Sequence, residues 1–556
     1  MKSRKIAVIM AAAIAAGAIL GACTSTEGNT TNATAGDTKA AQSGKSGEGK
    51  AKENASNSAD AESVTLTVFD KNSKSYKWDD RIAKEVTKRT GVHIEIQNPT
   101  GDPKEKLALL LAGQDYPDIV LMDRGDEIVK KYIDAGALIE LDDLIETQGP
   151  NIKEMYGDTL NRIKYKDGHN YYLTNWYGPD PDPVAGFIMR YDMMVESVGK
   201  ERADSDEPFT QQELLDILKE YKEKHPQVDG SEFIGMTMNV NERNYFNTLK
   251  GMYGIKTYYE KDGSLYHETR DPNYLKMLKF INQMYLDGTL DKEWVVNNTN
   301  LFTQKLAAGN VMGALCAYWD VTNANTSLKS THGEDSFFAA YKVLGEGVAK
   351  DQTTSGGRSS LGWDAIGITN NCKDVDAAMR LINFLASQEG QDLLLWGIEG
   401  EDYTVTNGKY TPNQELYDNF KKDYTKTMEK SGICKWTWFV NNKVHDDGTP
   451  NRLPSIRTEN DKATNIAWQN LTDTYWDTSI YDDLTPAANS PQGLMAQKVK
   501  DVYEQSFPKI VNAASSEEAE NLYHQMITEM EAAGLKDVEA AITANYEERK
   551  ELWGID

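Results

Sequence analysis

The run Tyr116-Pro117-Asp118-Ile119-Val120-Leu121-Met122 decides the fold class. Its proline cannot continue a preceding helix, and the apolar residues after it follow one another without alternation. A short unbroken run of this kind reads as a strand buried on both faces. Upstream, 104–112 reads as a leucine-rich helix ended by Gly113, and downstream 127–134 reads as a helix terminated by Gly136. Further out, Val64, Leu66 and Val68 alternate with Thr65 and Thr67 ahead of Phe69, which marks a first strand. Ile82 and Val86 at i, i+4 spacing predict a helix over 79–90, stopped by Gly91, and Val92, Ile94 and Ile96 give a second strand. Strands and helices alternating at this pitch are βαβ units, and βαβ units build a parallel sheet.

The N-terminus is of a different kind. Lys2, Arg4 and Lys5 precede an apolar run over 6–20, which is shorter than the ~20 residues a membrane-spanning helix needs. A positive start, a short apolar core and small residues at its end read as a secretory leader. The end here is Leu20-Gly21-Ala22-Cys23, which looks like a lipobox, so Cys23 is the expected lipidation site and first residue of the mature chain. From 24 to 63 there is no aromatic residue, and Ser, Thr, Asn, Gly, Ala, Lys and Glu dominate. Such a segment buries too little apolar surface to offset its ordering entropy, and is expected to be a flexible tether.

Residues 63–556 are too many for one core, which predicts two lobes or more. The net charge of −26 argues against nucleic acid, whose recognition needs a basic surface. The 11 Trp and 28 Tyr supply rings with an apolar face and a polar edge, the two-sided character of a sugar ring, although most are expected in the core. Of four Cys, Cys316, Cys372 and Cys434 lie beyond the lipidation site with no short spacing, so no zinc motif is present, and a Cys372–Cys434 bridge is left open.

At this point the chain resembles the family 1 bacterial extracellular solute-binding proteins, in the larger lipoprotein branch. Tyr116-Pro117-Asp118-Ile119-Val120 and then Gly136-Ala137-Leu138-Ile139-Glu140-Leu141 match the first lobe of that family. In the same order come Lys166-Asp167-Gly168 to Tyr171-Tyr172-Leu173-Thr174, Met189-Arg190-Tyr191-Asp192, and Phe209-Thr210-Gln211-Gln212-Glu213-Leu214, which is also a capping box. The stretches 304–314, 362–368, 377–390 and 397–408 continue the match. The resemblance implies an α/β, two-lobed periplasmic-binding-protein-like fold of type II, with a ligand cleft between the lobes and extra C-terminal helices. It implies the organisation 1–22 leader, 23–62 tether, 63–178 plus about 350–395 first lobe, 179–349 second lobe, and 396–556 helical region packing on both. It also implies a monomeric capture subunit of an ABC importer on the outer face of the cell membrane. That subunit holds a carbohydrate, expected to be an oligosaccharide from the long C-terminal region, and docks on permease subunits.

In open α/β sheets ligands sit beyond the carboxyl ends of the strands. That rule selects Tyr76 and Trp78 after the first strand, Asp123 and Arg124 after the third, and Trp176 and Tyr177 near the first crossing. It also selects Trp319 with Asp320 and Trp363 with Asp364. A Trp-Asp pair places a flat face for the CH side of a sugar next to a carboxylate for its hydroxyls, and a buried hydroxyl left unpaired costs ~1–3 kcal/mol. Trp436 and Trp438 alternate in a strand-like run and read as packing. Asp320 and Asp364 also fit helix caps.

The rival readings are an enzyme, a surface adhesin or sensing lipoprotein, and transport of a peptide or other solute. No G-x-S-x-G, H-E-x-x-H or P-loop motif is present, and the 7 His show no metal-ligand spacing. The expectation is therefore no catalytic residues and no cofactor. Asp204-Ser205-Asp206-Glu207 resembles a calcium loop but lacks the glycine at its sixth position, and reads as a solvated turn.

Overall fold

A computed structural model describes residues 63–555, apart from 74, 181, 183, 243 and 460. The expected leader, Cys23 and tether lie outside these residues. The first sheet has five strands in the order Val92–Gln97, Val64–Asp70, Ile119–Asp123, Asp364–Ile368 and Leu173–Thr174. The first three pair in parallel, as βαβ connections require. The return strand Asp364–Ile368 runs antiparallel to Ile119–Asp123 and to Leu173–Thr174, so the sheet is mixed and the expected parallel βαβ part makes up its first three strands. The reason is its route. It enters from the other lobe at the carboxyl edge of the sheet, so Asp364 pairs with Asp123 and Ile368 with Ile119.

Local chemistry sets the elements around that sheet. Asp80 caps the helix Arg81–Thr90 by accepting from Ala83 N, and Gly91 ends it in the left-handed region at φ 69°. The next helix runs Pro103–Gly113, and Gln114, at φ 54°, takes the left-handed cap expected at Gly113. The single helix expected over 377–390 is broken into Val375–Leu385 and Gln388–Leu395. Ser387 interrupts it by accepting from Gly390 N. Only glycine fits at 390, because a Cβ there would lie 2.1 Å from Phe384 O.

The second sheet has four strands in the order Phe338–Tyr341, Ala185–Arg190, Val311–Ala317 and Ile234–Met238. Every residue of Val311–Ala317 is buried, as expected for a central strand covered on both faces. The capping box at Thr210 and Glu213 starts the helix Gln211–Lys224 of this lobe.

The C-terminal region divides its packing. Trp396, Tyr417, Phe420, Trp436 and Trp438 join the core beneath the first sheet. Phe507, Ile510, Met526 and Met530, from the helices Pro491–Val511 and Ser516–Ala532, join the core of the second. Asn282 fastens that junction by donating to Val511 O at 3.0 Å and Ala513 O at 2.9 Å. Between the lobes, Gly356–Arg358 pairs in parallel with Tyr475–Asp477. Cys316, Cys372 and Cys434 are free, so the 372–434 bridge does not form. No helix among the described residues is long and apolar enough to cross a membrane.

Candidate ligand-binding site

The rim of the first lobe is built on Asp364, which is fully buried. Its carboxylate lies 2.8 Å from Lys71 Nζ and accepts from Asn72 Nδ2 at 2.9 Å and Asn175 Nδ2 at 2.7 Å. Lys71 also reaches the exposed Asp123 at 3.5 Å. Burial works against the Lys71 charge, but Asp364 and Asp123 more than restore it, and the ammonium stays above its ordinary value. Asp70 is buried beside them. It accepts from Trp438 Nε1 at 3.0 Å and from Asn72 N at 2.8 Å, and burial pushes its carboxyl up to about 6.

Above this frame sit two stacked rings. Trp176 and Trp363 lie with centroids 5.7 Å apart and planes within 15°, and Trp363 is 49% exposed. Trp176 holds a left-handed backbone at φ 51°, which costs a bulky residue energy and is kept only where the surroundings impose it. The surroundings here are specific. Asn442 Nδ2 donates to Trp176 O at 2.8 Å, and Gly362 approaches so closely that a Cβ would lie 1.8 Å from Asn175 O. Arg124 pins the Trp363 turn, its backbone N–H donating to Trp363 O at 2.8 Å and its Nε to Gly362 O at 2.9 Å.

A charged link runs from the rings to the second lobe. The Arg452 guanidinium lies 5.0 Å from the Trp176 centroid, and its Nη2 is 3.5 Å from Asp182. Arg358 bridges to Asp180 at 2.7 Å and donates to the Asp180 and Asp182 carbonyls. Burial, with Asp180 adding to it, holds the Asp182 carboxyl above its ordinary value against the pull of Arg452, Arg358 and Arg457. Tyr318 N then donates to Val184 O at 3.1 Å, which seats the end of Val311–Ala317 against the same crossing segment. Trp319 follows, 43% exposed and edge-on to Tyr318 at 5.2 Å. Solvent-facing rings of both lobes thus meet one crossing segment lined by paired Arg and Asp.

A family model described as bacterial extracellular solute-binding protein matches residues 81–397. The chain belongs to that family. Among curated proteins it is 26% identical over 241 residues to the fructooligosaccharide ABC transporter substrate-binding protein FusA of Streptococcus pneumoniae serotype 4, strain ATCC BAA-334 / TIGR4. That match covers 40% of this chain and spans 44% of the relative's length. The solved S. pneumoniae FusA EF-hand mutant in complex with fructo-nystose superposes with a TM-score of 0.65 at 16% identity, over 88% of this chain and 99% of that one. An HMO-binding, ABC-transporter-associated solute-binding protein from Bifidobacterium longum infantis ATCC 15697 gives 0.65 at 15% identity, over 87% and 99%. At such identities the likeness shows the fold, two α/β lobes of the periplasmic-binding type.

Within this solute-binding fold, several residues selected from the sequence lie inside the protein. Trp78 is 4% exposed, stacks on Trp438 at 5.5 Å and donates to Thr87 Oγ1 at 2.9 Å. Tyr177 is 1% exposed and stacks on Tyr156 at 3.8 Å. Both were selected as ligand contacts and lie packed in the interior, and so does Asp364, which caps no helix and instead anchors the rim. Arg124 is spent on Asp482, Asp483 and the Trp363 turn. Tyr76 is half-buried, edge-on to Trp436 at 5.9 Å. Asp320 turns back to accept from Ala317 N at 3.0 Å, closing its own strand end rather than capping a helix. Trp436 and Trp438 pack as expected, though outside any strand.

The sequence reading missed Arg358, Arg452 and Asp182, while Lys71 lies in the loop after the first strand that the strand-end rule points to. The prolines of Asp180-Pro181-Asp182-Pro183 mark a stiff connector rather than a site, and the two arginines carry no local motif. The Trp-Asp rule also applies to Trp476-Asp477, which was not selected. Trp476 donates to Thr354 O at 2.9 Å, and Asp477 accepts from Ser360 N at 3.0 Å. Among the described residues no group of three or more His, Cys, Asp or Glu is placed to hold a metal ion. Asp204, in the calcium-like loop, is instead paired with Lys200 at 2.8 Å and Lys462 at 3.3 Å.

Proposed function

We propose that this protein is the capture lipoprotein of an ABC importer, tethered by lipid on Cys23, and that it binds a carbohydrate, most simply an oligosaccharide, between its lobes. The observation that carries the reading is the Trp176–Trp363 stack, with Trp363 exposed over half-buried Trp176, joined through Arg452 and Asp182 to the segment that seats Trp319. Flat rings take the CH faces of sugars, and a frame of Arg and Asp side chains bonds hydroxyls in fixed directions. The name of the relative FusA supports a saccharide over a peptide. In this reading the solute binds one lobe, gains contacts to the other, and shifts the open–closed equilibrium by its differential affinity. The closed form then docks on membrane permease subunits and releases the solute unaltered.

The test is tryptophan fluorescence and melting temperature of the protein against a panel of oligosaccharides, with each glycan recovered and sized afterwards. A saturable shift with one glycan, returned uncut, is the expected result. Shifts with peptides alone would overturn the carbohydrate assignment, and shortened glycan would overturn the binding-only role.

A further inference from the structure

One stretch of chain between the lobes carries two arginines, each lying over a tryptophan. It leaves the core beneath the first sheet at Leu453 and enters the core of the second lobe at Ile466. Arg452, at its start, faces Trp176. Arg457, further along, lies over the Trp468 ring at 3.8 Å. Trp468 belongs to the helix Lys462–Leu471, is half-buried, and stands beside Tyr318, the residue before Trp319. Burial and Asp182 push the Tyr318 hydroxyl up to about 12, against Arg452 and the Trp468 indole. The Arg457–Trp468 pair therefore borders the segment that joins the exposed tryptophans of the two lobes.

The fold holds Arg457 in place and leaves its donors unused. Its neighbours on both sides are pinned. The Tyr417 hydroxyl donates to Ile456 O at 3.1 Å, Thr458 N donates to Asp461 at 3.0 Å, and Asn465 Nδ2 donates to Thr458 O at 2.8 Å. The Trp468 face then fixes the guanidinium, because a cation this close to an aromatic ring is drawn to it. Arg457 is exposed, and among the described residues its side chain makes no hydrogen bond and no ion pair. Its charge needs no further partner, since it stays in water and lies in the field of Asp182. What remains open is a planar set of N–H donors beside an aromatic face, which suits neutral acceptor oxygens rather than another anion. A neutral sugar ring carries such oxygens round its edge and CH groups on its faces.

We propose that Arg457 is a further ligand contact of the cleft: held flat by Trp468, it donates to two neighbouring hydroxyls on one unit of a neutral oligosaccharide whose other units lie on Trp363 and Trp319. The proposal rests on the carbohydrate reading above and narrows it to uncharged sugars. A planar fork bonds two adjacent oxygens at once and so reads their spacing and direction, which a single ammonium does not. Arg452 does not serve in the same way, because it is spent on Asp182. Arg358 is spent on Asp180 and on the Asp180 and Asp182 carbonyls. Arg457 is thus the arginine of this group whose donors are open to a solute.

The experiment is calorimetric titration and thermal shift of the full-length protein in nonionic detergent. The probes are nystose, maltotetraose, xylotetraose and trigalacturonate. A neutral probe should bind the wild type saturably. Arg457→Ala and Arg457→Lys should each weaken that binding about tenfold, because lysine keeps the charge and loses the fork, and both should melt with the wild type. Trp468→Leu should weaken it similarly, and combining it with Arg457→Ala should add little, as for two residues acting as one unit. If Trp468→Leu fails to fold, the two Arg457 variants decide. Wild-type affinity in both Arg457 variants overturns the proposal and leaves the carbohydrate reading standing. Wild-type affinity in Arg457→Lys alone assigns an effect of charge and overturns it too. Binding of trigalacturonate alone overturns the neutral class. Binding of no probe overturns this inference together with the carbohydrate reading it rests on.

Discussion

At the scale of single residues, exposure and burial separate side chains of the same type. Trp363 lies just ahead of the strand Asp364–Ile368 and Trp78 just ahead of the helix Arg81–Thr90, yet one is 49% exposed and the other 4%. Trp363→Ala should therefore weaken glycan binding by ~1–3 kcal/mol with little change in melting temperature. Trp78→Ala should do the reverse, lowering stability by ~3–5 kcal/mol through the cavity it opens against Trp436 and Trp438. Titration calorimetry beside urea unfolding separates the two. Asp70 gives a prediction in pH. Its folded value of about 6 stands above the ordinary 3.8, so between these values the folded protein holds the proton more tightly than the unfolded chain. Its contribution therefore improves as pH falls from about 6 to about 4, and above 6 the full cost of the buried charge applies. Asp70→Asn removes that titration while keeping an oxygen for the Trp438 indole. The melting temperature of the wild type should gain on that of Asp70→Asn when pH is lowered from 7 to 4. A constant difference would show that Asp70 does not titrate there.

At the scale of elements, the break between Val375–Leu385 and Gln388–Leu395 depends on one missing methyl group. Gly390→Ala sets a Cβ against Phe384 O and should cost ~1–3 kcal/mol, read as a lower urea midpoint with an unchanged slope. The elements also show what a sequence can and cannot convey. The alternation of Val64, Leu66 and Val68, the glycine at 91 and the Thr210–Glu213 capping box are local signals, and each appears at its place. The direction of Asp364–Ile368 is not local, because it depends on which edge of the sheet the chain re-enters from the other lobe. The site divides the same way. Trp176, Trp319 and Trp363 are legible as aromatics near strand ends. Arg452 and Arg358 are not, because their meaning comes from Asp182 and Asp180, far away in the chain and brought close only by the crossing segments.

At the scale of the whole molecule, the proposed lipid anchor and the proposed cleft make separate predictions. Cys23→Ser should move the protein from the membrane fraction to the medium while leaving glycan affinity unchanged, since every residue placed in the candidate site lies beyond residue 63. Closure is tested by the two exposed tryptophans, which stand on opposite lobes. A solute held by the Trp176–Trp363 stack draws the second lobe in only if Trp319 or its neighbours gain contacts on closing, because a ligand shifts an equilibrium by its differential affinity alone. In the wild type, saturating glycan should shrink the radius of gyration in X-ray scattering. Trp319→Ala should keep weakened binding and lose most of that compaction, since the first lobe still holds the solute. Trp363→Ala should lose affinity first, with compaction recovered once glycan is raised to saturation. Saturable binding with no compaction in any of the three would mean that the lobes do not close on the solute, and capture would then rest on the first lobe alone.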